Sequence, residues 1–276
     1  MLAALLLPSL LAAGAEPPAG AVMLNAPRVN ARPDEASATR SPWIDANGWR
    51  ILRAPDRTFV YRVKGEAAAL AAAEAYSYGA GAVISADAPG AAAFGRMLAF
   101  LKTVPPVDLA PVADFGVVDD GSDLTGELLN LLTRMNLLYK IEQGPDRRFR
   151  LNVRLGTKEY PQEEARNPSV LAHKIRSQLG DDGRSLRLYG SEVAIGRLVS
   201  GSRQSRLFLL NYSGGPILGL RVRVRDGYAK GELRAPEAGD SHLADWTSID
   251  RTENGPAIEF TIPELRVFAI IDLFRA

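Results

Sequence analysis

Two tryptophans six residues apart bracket an acid and an amide in the segment Trp43-Ile-Asp45-Ala-Asn47-Gly-Trp49. Indole faces stack on the apolar side of a sugar ring, and Asp45 and Asn47 can bond its hydroxyls. An apolar platform with a few placed polar groups is the usual plan of a binding site. The same rings can instead be buried, as Trp is on average, with Asp45, Asn47 and Gly48 forming a turn. A second group, Asp119-Asp120-Gly-Ser-Asp123, ends an apolar run that begins at Phe115. At a strand end of an α/β sheet such carboxylates can take sugar hydroxyls or a cation. Ser122 or Asp123 can equally cap the next helix. A third group, Lys158, Glu159, Glu163 and Glu164, lies in a charged loop after another strand-like run. Carboxylates on opposite sides of a cleft are what glycoside hydrolysis requires; a solvated loop is the alternative.

Several chemistries are excluded. The chain has no cysteine, which removes disulfides, thiol catalysis and cysteine-held metals. His173 and His242 are not spaced as metal ligands, so no metal site is expected. There is no Gly-x-Ser-x-Gly elbow. Neither a P-loop nor a glycine fingerprint after a strand occurs, and no cofactor is implied. With 33 basic and 32 acidic residues the formal charge is +1, so no concentrated basic face argues for nucleic acid.

The elements that must position these groups follow from the pattern. Residues 1–15 form an apolar run ending in Ala13-Gly14-Ala15, a signal-peptide pattern with a cleavage site near Ala15. The expected protein is therefore secreted or periplasmic. The run is too short to span a bilayer, and no later segment is long and apolar enough to do so. Residues 25–40 read as a loop. Strands are predicted at Val22–Leu24, Thr58–Val63, Val83–Ser85, Phe115–Asp120, Phe149–Leu155 and Leu186–Tyr189. Helices are predicted over Glu66–Tyr78, with Gly79 at its C-cap, and over Ala91–Lys102, Leu124–Leu138 and 169–179. This alternation argues for parallel strands joined by right-handed crossovers. From about residue 185 helical patterns stop. Short strand-like runs punctuated by Gly, Ser, Asn and Pro predict an antiparallel β-sandwich. The expected domains are 16–184 and 185–276, with the boundary between residues 183 and 192.

The stretch from Phe115-Gly-Val-Val-Asp-Asp to Leu186-Arg-Leu-Tyr-Gly190 resembles the α/β domains related to class I glutamine amidotransferases. The resemblance implies a flavodoxin-like parallel sheet with flanking helices, of a kind also found without catalysis inside glycosidases, as a trimerisation domain. The tail, with Phe208-Leu-Leu-Asn-Tyr212 and Phe268-Ala-Ile-Ile-Asp-Leu273, is similar to the terminal β-sandwiches of glycosidases. The nucleophile of the amidotransferases is a cysteine, so no catalytic residue carries over. Together these readings imply an exported, non-catalytic binding or assembly protein, carbohydrate-related, whose partner is a saccharide or another protein and which can form a homo-oligomer. A glycoside hydrolase using strand-end carboxylates is the alternative.

Overall fold

The computed structural model describes residues 10–12, 19–30, 43–236, 239–242, 247–252 and 255–275. The expected cleavage site at Ala13–Ala15 and most of the expected loop (31–40) lie outside them. The first elements are β1 (Leu10–Ala12), β2 (Val22–Leu24), β3 (Arg28–Asn30), β4 (Trp43–Asp45), α1 (Gly48–Arg53), β5 (Phe59–Val63) and α2 (Ala67–Ser77). Next come β6 (Ala82–Ala86), α3 (Ala88–Thr103), β7 (Ala110–Pro111), β8 (Phe115–Val118), α4 (Asp123–Arg134) and β9 (Tyr139–Glu142). They are followed by β10 (Asn152–Val153), α5 (Gln162–Ala165), α6 (Pro168–Leu179), β11 (Leu186–Tyr189), β12 (Ala194–Ser200) and β13 (Gln204–Asn211). The chain ends with β14 (Ile217–Arg225), β15 (Lys230–Ala235), β16 (Gly239–His242), β17 (Thr247–Thr252), β18 (Gly255–Leu265) and β19 (Phe268–Phe274).

The fold is mixed α/β followed by antiparallel sheets that form a sandwich-like region. The parallel part is two sheets, ordered β1-β6-β5-β2 and β10-β8-β9, where the strand–helix alternation alone suggests one. β3 and β4 form a separate antiparallel ribbon. Leu10–Ala12, within the expected leader, pair in parallel with Ala82–Ile84 as an edge strand. The sandwich sheets are β11-β14-β18-β17 and β16-β15-β19-β13-β12-β7. Leu186–Tyr189, which continues the alternation in sequence, pairs antiparallel with β14. Its period-2 pattern suits either partner, and only the pairing decides. β7 crosses back to pair with Val199 and Ser200 of β12.

The large sandwich sheet has two buried faces. Ala194, Leu198, Leu207, Leu209, Ile271 and Leu273 face the smaller sheet. Ile195, Val199, Phe208, Leu210, Phe268 and Ile270 face α2 and α3. This explains the near-continuous apolar run of β13, every residue of which after Gln204 is buried, as expected for a strand covered on both sides. Phe208 stacks on Phe268, with centroids 6.3 Å apart. Tyr76 and Phe100 meet this pair edge-on at 6.0 and 6.2 Å. Helix α2 lies between two sheets and is buried almost all round. Alanine suits that position, since it forms helix readily and lets both sheets approach closely.

A buried carboxyl group sits in this wall. Glu74 of α2 is fully buried. Its Oε1 accepts from the Asn47 backbone N–H at 2.7 Å and from the Tyr212 hydroxyl at 2.6 Å. Its Oε2 accepts from Asn47 Nδ2 at 2.9 Å and from the Tyr61 hydroxyl at 2.8 Å. Burial pushes the Glu74 carboxyl up, while the bonds from Tyr212, Asn47 and Tyr61 pull it back down. A single carboxylate thus ties the β4–α1 junction, β5, α2 and the end of β13 together.

Candidate functional site

The residues singled out from the sequence are largely engaged in structure. Asn47 is the buried partner of Glu74. Trp49 is 8% exposed and packs in the core with Phe115, Leu128 and Leu132, so it offers no ring face to a ligand. Trp43 is half-buried, with the Arg134 guanidinium 4.5 Å over its ring. Asp45 lies 3.7 Å from Arg28. The segment that can form a turn is instead the end of β4 and the start of α1.

Asp119 accepts two bonds from Arg53, both at 2.7 Å. Asp120 accepts from the Ser122 N–H and hydroxyl and from the Thr125 hydroxyl. Ser122 caps α4 by accepting from the Thr125 N–H at 3.2 Å, and Asp123 begins the helix, where a negative charge meets the positive dipole end. Burial raises both Asp119 and Asp120, but the hydrogen bonds outweigh it and hold them below the usual carboxylate range. Lys158, Glu159 and Glu163 are exposed. Glu159 accepts from Gln178 at 3.1 Å. Among the described residues, no hydrogen bond or ion pair joins this loop to the Asp119 group.

A pocket of about 670 Å³ opens elsewhere, where the first parallel unit, the second parallel unit and β12 meet. None of the residues discussed so far as sequence candidates lines it. Its size is in the range of about 300–1,000 Å³ usual for small-molecule sites. Two helix ends build its walls. α2 ends in a Schellman arrangement: Ala80 N–H bonds Ala75 O, and Gly79 N–H bonds Tyr76 O with Gly79 at φ 68°. This leaves Tyr78 at the end of the helix, against the pocket. α4 ends the same way, through Leu137 N–H to Leu132 O and Asn136 N–H to Thr133 O. Here Asn136 takes the left-handed position, at φ 54°. Glycine is commoner there, but the amide of Asn136 has a second task. Its Oδ1 accepts from Gly196 N–H at 2.7 Å, and its Nδ2 donates to Ala194 O at 3.0 Å. It thereby satisfies the edge of β12 above the reach of β7.

Arg197 follows on β12, on the face shared by Ile195 and Val199. Its guanidinium lies 4.4 Å over the Tyr78 ring. That ring also lies close against Gly48, where a Cβ would fall 2.1 Å from a ring carbon. Arg197 Nε is buried without a hydrogen-bond partner, and among the described residues no carboxylate pairs with this side chain. Burial lowers the Arg197 pKa, with Tyr78 and Tyr139 acting in the opposite sense; a guanidinium nevertheless stays charged. Burial pushes the Tyr78 hydroxyl up to about 12 and raises Tyr139, whose hydroxyl meets Thr133 Oγ1 at 2.8 Å. The helix C-termini favour a nearby cation. Lys140 and Arg148 stand at the rim, bonded to Glu142 and Asp146. The signal for this site in the sequence is the arginine in the core-facing alternation Ile195, Arg197, Val199.

A second cavity of about 450 Å³ lies beside the contact of α2 and α3 with the sandwich, lined by Met97, Leu233 and Phe268 among others, with the Arg96–Glu66 pair in its lining. Among the described residues no group of His, Asp and Glu is arranged to hold a metal, and no helix is long and apolar enough to cross a membrane.

No family model and no curated protein matches the chain. Solved structures do. An α-L-fucosidase isoenzyme 2 from Paenibacillus thiaminolyticus matches with a TM-score of 0.58 at 9% identity, over 80% of this chain and 61% of that one. A GH42 β-galactosidase from G. stearothermophilus matches with a TM-score of 0.46 at 7% identity, over 92% of this chain and 53% of that one. The chain therefore spans about three-fifths of the fucosidase structure and shares the fold of that part.

Proposed function

We propose that this protein is a non-catalytic saccharide-binding module and that the pocket beside Arg197 is its ligand site. The observation that carries the reading is the pocket itself: an open cavity at a three-way junction, with Tyr78, Tyr139 and Phe149 in its lining and no carboxylate among its described residues. Glycoside hydrolysis needs two carboxyl groups, one of them held protonated. Asp119 and Asp120 lie outside the pocket, are committed to Arg53 and to the α4 cap, and are shifted towards ionisation rather than away from it. The saccharide context is supported by the fold shared with a chain described as an α-L-fucosidase. The α/β part is then an amidotransferase-like scaffold without its cysteine. A glycan array followed by titration calorimetry tests the reading, with chromogenic glycosides run in parallel. Binding without turnover is expected. Turnover abolished by Asp119→Asn would replace the reading with the hydrolase, and folded protein that binds no glycan would overturn it.

Export belongs to the same proposal. Cleavage near Ala15 would remove Leu10–Ala12 and open the β6 edge. Amino-terminal sequencing of protein recovered outside the cytoplasm should begin near Glu16; a sequence that retains Leu10–Ala12 overturns it.

A further inference from the structure

We infer that the ligand of the junction pocket is an acidic saccharide whose carboxylate or sulfate group pairs with Arg197. The inference rests on the saccharide-binding reading above and specifies its chemistry. Three cations, Arg197, Lys140 and Arg148, line the pocket, and no acidic side chain does among the described residues. The two at the rim are already bonded to carboxylates. Arg197 is not. It sits on a strand face between Ile195 and Val199, both buried in the core, with the Tyr78 ring against it. A charge taken out of water is costly unless it is paired and hydrogen-bonded. Arg206 follows that rule. The most buried guanidinium, Arg206, is held by Asp272 at 2.6 and 2.9 Å and by Pro105 O. Arg197 differs in facing an open cavity, so its counter-ion can come from outside. The planar guanidinium fork suits a carboxylate or sulfate. The Tyr78 ring, held close against Gly48, packs on that fork and keeps it in place before the ligand arrives.

The test uses calorimetry at pH 7 with galacturonate, glucuronate and galactose 6-sulfate, their neutral parents galactose and glucose, and inorganic sulfate. The proteins are wild type, Arg197→Met and the remote surface variant Arg96→Gln. Wild type and Arg96→Gln should bind an acidic sugar about ten- to a hundredfold more tightly than its neutral parent, the span of one charge-assisted interaction. Arg197→Met should lose that preference. Its melting temperature without ligand should stay level or rise, because an unpaired charge gives way to an apolar chain of similar reach. The tighter of carboxylate and sulfate identifies the acidic group. Equal affinity for neutral and acidic sugars in wild type would overturn the inference while leaving saccharide binding intact. Inorganic sulfate bound as tightly as any sugar would overturn the acidic saccharide as occupant. No sugar bound at all would overturn both readings. A clear drop in the melting temperature of ligand-free Arg197→Met, with no acidic preference in wild type, would assign this arginine to the fold alone.

Discussion

Replacing Tyr212 with Phe removes one hydroxyl and leaves the ring in place. That hydroxyl donates to Glu74 Oε1 at 2.6 Å across 138 residues of sequence, inside the wall between α2 and the sandwich. A hydrogen bond to a charged group is worth about 1.5–3 kcal/mol and one to a neutral group about 0.5–1.5 kcal/mol. The loss should therefore be about 1.5–3 kcal/mol where Glu74 is ionised and smaller where it is protonated. The sign follows from linkage. Glu74 has a raised pKa in the folded protein, so the folded state keeps its proton to higher pH than the unfolded chain. Its contribution to stability falls as pH rises from the ordinary glutamate value through the folded one. Removing the Tyr212 bond takes away a group that favours the ionised form and raises the folded pKa further, so the penalty must grow with pH. Urea unfolding of wild type and Tyr212→Phe at pH 4 and pH 8 measures both quantities. At pH 8 the melting temperature should fall by roughly 3–12 °C for a protein of this size. Tyr61→Phe should behave alike, and the double variant should depart from additivity, because both hydroxyls serve one carboxylate. A Tyr212→Phe variant within about 0.5 kcal/mol of wild type, or a loss independent of pH, would refute the reasoning.

Asn136→Gly keeps the left-handed backbone position but deletes the two bonds to β12; thermal melts should show a loss of about 2–4 kcal/mol from the stranded Gly196 N–H and Ala194 carbonyl. Gly48→Ala drives a Cβ into the Tyr78 ring. It should cost about 1–3 kcal/mol by overpacking and weaken acidic-sugar binding in calorimetry by displacing the support of Arg197. Asp272→Ala leaves the buried Arg206 guanidinium without its partner. It should cost about 3–5 kcal/mol in urea unfolding, most of it recovered when Arg206 is replaced by Met in the same chain.

Much of the scaffold was legible from local pattern. Leu207–Leu210 and Val267–Ile271 are apolar on successive residues, and these runs mark β13 and β19. Gly79 marks the end of α2 because only a left-handed residue closes that helix. The second helix end was not legible. α4 stops at Arg134, yet Leu137 and Leu138 extend its apolar pattern. The stop is Asn136, whose side chain is fixed by a strand 58 and 60 residues away. β9 was missed for the same reason. The short helix α1 has no side-chain cap and left no periodicity to read. The pocket draws on residues 51, 52, 55, 78, 110–113, 133, 136–141, 148, 149 and 196–198, and nothing in the sequence says that these segments meet. Arg197 interrupts a core-facing alternation, the one trace of the site available in advance. The acidic clusters drew notice instead, since capping and ligand binding use the same residue types.

The wall buried on both faces has a consequence for how the chain reaches its native state. α2 is made well before Phe208, Leu210, Phe268 and Ile270, which cover it. Until they arrive, an alanine-rich helix and the edge of a parallel sheet have no cover. Contacts of such long sequence separation form slowly, and exposed partial structures are prone to aggregate. A cut at residues 184–185 would make this condition permanent, giving two fragments that each display an apolar wall. The regions 16–184 and 185–276 share this wall, so each is best expressed or exchanged together with the other.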